Sequence, residues 1–261
     1  YTVYKASQQR KQYAQVLEKE VENRTEDLQR ANRRQQQLNY ELKTFSFIAS
    51  HDIKEPIRGI GAQSGLIYAK IPEGLKADLA PSFQVIQNST RQLYKLVEDF
   101  TRYTAMSQNE AVKPESVDLN QLVTTIIETF AEGLRQYRGK ILMSQLPTIT
   151  SNSSLLFTSI KNLIENGLKF NKSKVPTVEV SYHPQANHQE IIVSDNGIGI
   201  DPAYHDEIFG MFKRLHMQGE YEGSGIGLAI VRLSVRKLDG DIRVESQPGE
   251  GSKFIISLPL V

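Results

Sequence analysis

A chain of 261 residues is long enough for about two domains, each burying a core of its own. Hydrophobic residues at 39% and charged residues at 23% exclude a disordered tail and a membrane-embedded protein, and a net charge of +1 leaves no basic excess for gripping nucleic acid. The absence of cysteine excludes disulfides, thiolate metal sites and cysteine nucleophiles, and no apolar run approaches the roughly 18 residues of a membrane span.

From Lys5 to Lys43 there is neither Gly nor Pro, and Glu, Gln, Arg, Lys and Asn dominate, which predicts one long helix. Leu17, Val21, Leu28, Ala31, Leu38, Leu42 and Phe45 follow alternating steps of four and three, with Arg24 and Gln35 as polar members of the same seam. Such a seam predicts a parallel coiled coil whose polar insertions set register; a solvated surface helix is the plainer reading. The pattern runs on through Phe47, Ile48, Ile53, Ile57 and Ile60. Pro72, Gly74 and Pro81 then punctuate the chain, and Pro81 sits where a second helix could begin. Ile86, Leu93, Leu96, Val97 and Phe100 carry that helix to about Met106. Two helices with a short connection form an antiparallel hairpin, and a hairpin with an apolar face pairs with its twin into a four-helix bundle.

Residues 108–116 read as a linker, and beyond them helices and strands alternate. Helices are predicted over Leu119–Gln136, Ser153–Phe170 and Gly225–Leu238, and strands over Lys140–Met143, Thr177–His183, Gln189–Asp195, Asp241–Ser246 and Ser252–Leu260. The fold class is therefore α+β: a coiled coil leading into a dimeric bundle, followed by an α/β sandwich with a mixed sheet. The expected domains are 1–44, 45–107 and 117–261, joined by the linker.

Three segments of the last domain carry nucleotide-site chemistry. Asn162, Asn166 and Lys169 lie four and three residues apart, along one stripe of a helix. Carboxamide oxygens suit Mg²⁺ and a lysine suits phosphate, although a stripe of this kind alone is more often a solvated face. Asp195 closes a strand just before Gly197 and Gly199, where a carboxylate can accept from an adenine amine; a simple Asp-Asn-Gly turn is the alternative. Gly223, Gly225 and Gly227 open a helix whose N-terminal N–H groups can meet phosphate. A Rossmann fingerprint fails because Leu228 stands where its third glycine belongs, and a P-loop fails on spacing at Gly133, Gly139 and Lys140.

These segments resemble the N, G1 and G2 boxes of the GHKL ATPase superfamily, and Phe209, Phe212 and Arg214 in IFGMFKRLH resemble the F box of sensor histidine kinases. The segment FIASHDIKEP, residues 47–56, is similar to their H box. The resemblance implies that His51 is the phosphoacceptor and Asp52 its acidic partner, and that Asn166 is the Mg²⁺ ligand and Asp195 the adenine acceptor. It also implies that Asn162, Lys169 and Arg214 meet phosphates or metal, that Gly197 and Gly199 shape the adenine loop, and that Gly223, Gly225 and Gly227 hinge a lid carrying Phe209 and Phe212. ATP and Mg²⁺ would be the cofactors. A second copy of the chain and a response-regulator receiver domain would be the partners, with no role for nucleic acid.

The same resemblance places this portion in the cytoplasm and leads us to expect a sensor upstream of Tyr1, with an anchor there as an open question. Its chemistry is sound on its own terms, since a largely neutral imidazole at pH 7 has a lone pair for a γ-phosphorus, and a carboxylate on the other ring N–H stabilises the charge that develops. Two other classes stay open: a water-directed ATPase of the same superfamily, and a scaffold that binds nucleotide without reacting. One departure stands out, since many bifunctional members carry Thr or Asn where this chain has Glu55.

Overall fold

The computed structural model describes residues 18–25, 27–30, 32–34, 52–107, 113–130, 139–213, 215 and 223–260. Residues 1–49 and 50–261 are two compact units. In the first, the described residues between 18 and 34 are helical and exposed, the seam residues Val21 and Leu28 among them. The other apolar seam residues, Leu17, Ala31, Leu38, Leu42 and Phe45, lie outside the described residues.

The second unit begins with a helical hairpin. Residues 52–70 form α1, and α2 spans Glu73–Met106. The second helix starts earlier than Pro81 suggested: Pro72, at φ −55°, takes the cap position, Glu73 sits in the first turn, and Pro81 lies inside the helix. Pro81 lacks the N–H that would meet the Ala77 carbonyl, but both residues are exposed, so water takes that carbonyl and the break is tolerated.

The α/β layer follows. Glu115 and Ser116, expected in the linker, open β1 (Glu115–Asp118), which pairs antiparallel with β3 (Thr148–Ser151). Helix α3 covers Leu119–Thr129, shorter than the predicted span, with residues 131–138 outside the described set. Its cap is Asp118, whose carboxylate accepts from the N–H groups of Asn120 and Gln121. Helix α4, Ser153–Lys169, is capped the same way by Asn152. The main sheet runs β2 (Lys140–Met143), β4 (Thr177–Pro184), β5 (His188–Asp195), β7 (Ser252–Pro259), β6 (Asp241–Ser246). The β2–β4 pair is parallel and the others antiparallel, so the sheet is mixed. Helix α5 spans Gly227–Lys237.

Alternation explains which face is covered. Val178, Val180, Ile191, Val193, Phe254 and Ile256 point to one side, where Leu156, Ile160, Leu163 and Ile164 of α4 and Val231 and Val235 of α5 meet them, all nearly inaccessible. Each such side chain contributes about 1.5–3 kcal/mol of transfer free energy on burial. Among the described residues no helix is long and apolar enough to cross a membrane.

Candidate functional site

One cavity of about 320 Å³ opens between the ends of β5 and β7, the exposed stripe of α4 and the start of α5. Asn162, Asn166 and Lys169 line it from α4, Asp195 and Gly199 from the β5 end, and Gly223, Gly225 and Gly227 from the α5 entrance. The structure thus brings together residues that the sequence scatters over 66 positions, Asn162 to Gly227. The α4 stripe faces the cavity because the opposite side of that helix, Leu156, Ile160, Leu163 and Leu168, is sunk in the core.

The polar groups differ in how free they are. Asn162 donates from Nδ2 to the Thr158 carbonyl at 2.7 Å, which directs its oxygen outward. A Cβ on Gly227 would stand 3.1 Å from that oxygen. The Asn166 backbone carbonyl accepts from the Phe170 N–H at 2.9 Å, while its carboxamide makes no hydrogen bond to another described residue and faces the cavity. Lys169 holds its ammonium over the Phe170 ring, 4.2 Å from the centroid, where a Cβ on Gly223 would meet it at 2.6 Å. No group of three His, Cys, Asp or Glu side chains gathers among the described residues, so a divalent ion here would depend on amide oxygens and its ligand's own oxygens.

Asp195 is the partly buried carboxyl of the site. Its Oδ1 accepts from the N–H of Gly197 at 2.8 Å and of Ser252 at 3.2 Å. Burial nevertheless dominates those two bonds and pushes the carboxyl up to about 6. Gly197 does not line the cavity; it pins Asp195 from behind, with the Phe170 carbonyl where a side chain would sit. Gly199, at φ +71°, turns the chain against the Gln247 carbonyl, leaving no room for a Cβ. One residue that the sequence reading passed over is Gly167, where an added Cβ would stand only 2.9 Å from the Asp195 Cβ, so the absent side chain lets α4 pack closely there. Its signal was present, a glycine inside a strongly helical segment.

The F-box residues separate. Phe209, expected on a lid, is buried in the core, edge-on to Phe254 with centroids 6.4 Å apart and beneath Arg232. It anchors the segment rather than closing over the cavity. Phe212 is half exposed, at φ +60°, and stacks on Phe100 of α2. Arg214 and His51 lie outside the described residues; Asp52 is exposed on α1. Four cavity residues come from α2, which no motif announced: Lys95, Glu98, Asp99 and Arg102.

Comparison with known proteins gives a consistent picture. Residues 151–261 match the family described as histidine kinase-, DNA gyrase B- and HSP90-like ATPases. The chain is 30% identical over 253 residues to the phytochrome-like protein Cph1 of Synechocystis, covering 95% of this chain and 34% of that protein. It is 31% identical over 239 residues to the sensor protein RprX of Bacteroides fragilis, covering 87% and 45% respectively. Among solved structures, full-length ShkA in complex with AMPPNP superposes with a TM-score of 0.63 at 22% identity, over 82% of this chain and 45% of that one. The latter is a likeness of fold. The chain spans about a third of the length of the first curated relatives it matches.

Proposed function

We propose that the chain is the dimerising and ATP-binding core of a sensor histidine kinase, moving the γ-phosphoryl of ATP to His51 and from there to an aspartate of a response-regulator receiver domain. The observation that carries this reading is the single cavity shared by Asn162, Asn166, Lys169, Asp195 and the glycine loop. An adenine amine would donate to Asp195, the polyphosphate would run toward the α5 N-terminus, and Lys169 would meet a phosphate oxygen. Mg²⁺, held by phosphate oxygens and the Asn166 and Asn162 carboxamides, would neutralise charge on the triphosphate.

In the transfer, a ring nitrogen of His51 forms the N–P bond as the bond from γ-phosphorus to the β,γ-bridging oxygen breaks, and ADP leaves with that electron pair. Asp52 accepts a hydrogen bond from the other ring N–H and stabilises the imidazolium character that develops. Hydrolysis by water would instead need a carboxylate base beside the triphosphate. The carboxylate of α4 at this wall, Glu165, is ion-paired with Lys95 at 3.1 Å.

Dimerisation through the hairpin is supported by its exposed apolar stripe: Ile53, Ile60 and Ile67 on α1 and Leu79, Ile86 and Leu93 on α2 recur every seven residues. The deciding experiment is incubation with γ-labelled ATP and Mg²⁺. Label that is acid-labile, base-stable and lost in His51→Gln supports the reading; acid-stable label, or release of inorganic phosphate alone, rejects it.

A further inference from the structure

The four α2 residues on the cavity wall, Lys95, Glu98, Asp99 and Arg102, share one face of the helix through their spacing. The helix is fastened to the ATP-binding domain at three points. Asp99 accepts a 2.6 Å hydrogen bond from the hydroxyl of Ser224, in the middle of the glycine loop. Lys95 pairs with Glu165 of α4, and Phe100 stacks on Phe212 with centroids 6.3 Å apart. Ser224 is buried, and its hydroxyl oxygen also accepts from the N–H of Ile226 at 3.2 Å, where α5 begins. The Asp99 carboxylate thus stands beside the positive end of α5, where the glycine loop would offer its N–H groups to a phosphate.

We propose that Asp99 is an internal stand-in for a nucleotide phosphate, holding the glycine loop on α2 until a triphosphate displaces it. Nucleotide binding and release of the ATP-binding domain from α2 are then one event. The inference rests on the nucleotide-binding reading above. Its physical basis is local like-charge exclusion: the wall also carries Lys95, paired with Glu165, and Arg102, but the Asp99 carboxylate itself sits on the glycine loop, 2.6 Å from the Ser224 hydroxyl, where a polyanion must approach. By linkage, any upstream signal that tightens α2 on the loop lowers nucleotide affinity by the same factor, and one that loosens it raises affinity.

The test uses the whole chain and a fluorescent trinitrophenyl-ATP probe with Mg²⁺. Asp99→Ala should bind the probe about fivefold tighter or more, and Asp99→Asn should fall between it and the wild type, because an amide keeps the hydrogen bond without the charge. Since the chain contains no cysteine, Lys95→Cys with Glu165→Cys provides a single clean pair. A short bismaleimide should cross-link it efficiently alone and several-fold less after addition of a non-hydrolysable ATP analogue. Equal affinity in Asp99→Ala and wild type, or cross-linking indifferent to nucleotide, overturns the latch and leaves nucleotide binding standing. Failure of every chain to bind the probe overturns the nucleotide reading and the latch with it.

Discussion

Helix α4 alone sinks Leu156, Ile160, Leu163, Ile164 and Leu168 beneath the sheet, whereas α1 and α2 together bury Ile57, Ser64, Val97 and Thr104 among their described residues. The α/β layer therefore completes its own core, while the hairpin leaves Ile60, Leu66, Ile67 and Val85 more than half exposed. A helix pair with so little buried apolar surface cannot offset its ordering entropy alone. The difference teaches that one region carries its stability internally and the other would gain it from the second copy proposed above, so the two should respond to different perturbations.

The sharpest division is chemical. His51→Gln should abolish acid-labile phosphorylation, a loss of at least about three orders of magnitude because the proposed nucleophile is gone, while the affinity for a fluorescent ATP analogue stays near the wild-type value. Asn166→Asp should act in the opposite region: a carboxylate beside the triphosphate should weaken Mg·ATP binding or slow turnover by about tenfold or more, read by titration and single-turnover labelling. A His51 variant that also lost nucleotide affinity, or an Asn166 variant that bound and reacted normally, would break the division.

Stability tests the comparison next. Ile164→Ala empties a fully buried position and should cost about 2–5 kcal/mol, seen as a lower melting temperature independent of protein concentration. Ile60→Ser removes an exposed stripe residue and should scarcely change the α/β transition, yet it should shift sedimentation toward monomer and make the hairpin's melting more concentration-dependent.

A smaller effect comes from pH. Ligand binding through an adenine amine favours ionised Asp195, so affinity should climb as pH rises through about 6 and level off above it, with protons released on binding below that point. Folding responds with the opposite sign. Between the ordinary 3.8 and about 6 the folded chain holds a proton that the unfolded chain has lost, so this group's contribution to stability declines as pH rises through that window and is constant above it.

The smallest effect concerns Glu55, which is exposed on α1. Its charge should oppose an acidic phosphoaspartate site, so Glu55→Asn should raise dephosphorylation of a phosphorylated receiver domain by a few-fold, measured with a non-hydrolysable ATP analogue present. No gain would assign Glu55 a merely solvated role.

Much of this architecture could be read from pattern. Lys140–Met143 and Asp241–Ser246 are strands with the limits the alternation predicted, and the Asn162, Asn166, Lys169 stripe faces the cavity as its spacing required. What escaped was tertiary or solvent-dependent. Pro81 signals a helix start unless water can take the carbonyl it orphans, and sequence does not display that exposure. The strands Glu115–Asp118 and Thr148–Ser151 carry one apolar residue each, Val117 and Ile149, where Lys140–Met143 carries three, so no apolar run marks them, and they exist because they pair with one another. Phe209 and Phe212 look alike in sequence, but one is inside the core and the other is on its rim. The contribution of Asp99 depends on a contact 125 residues away in the chain, which no local motif encodes.

The edges of the main sheet have a consequence for crowding. At one margin β2 offers only four residues, and at the other β6 alternates Asp241, Arg243 and Glu245 along its solvent side. Two such domains tethered to one helical bundle would experience millimolar mutual concentration, conditions in which open strand margins ordinarily adhere and seed aggregates. A stubby margin and a charged one give a neighbouring strand little to zip onto. In the proposed dimer the two domains could then pass at close quarters without edge-to-edge pairing.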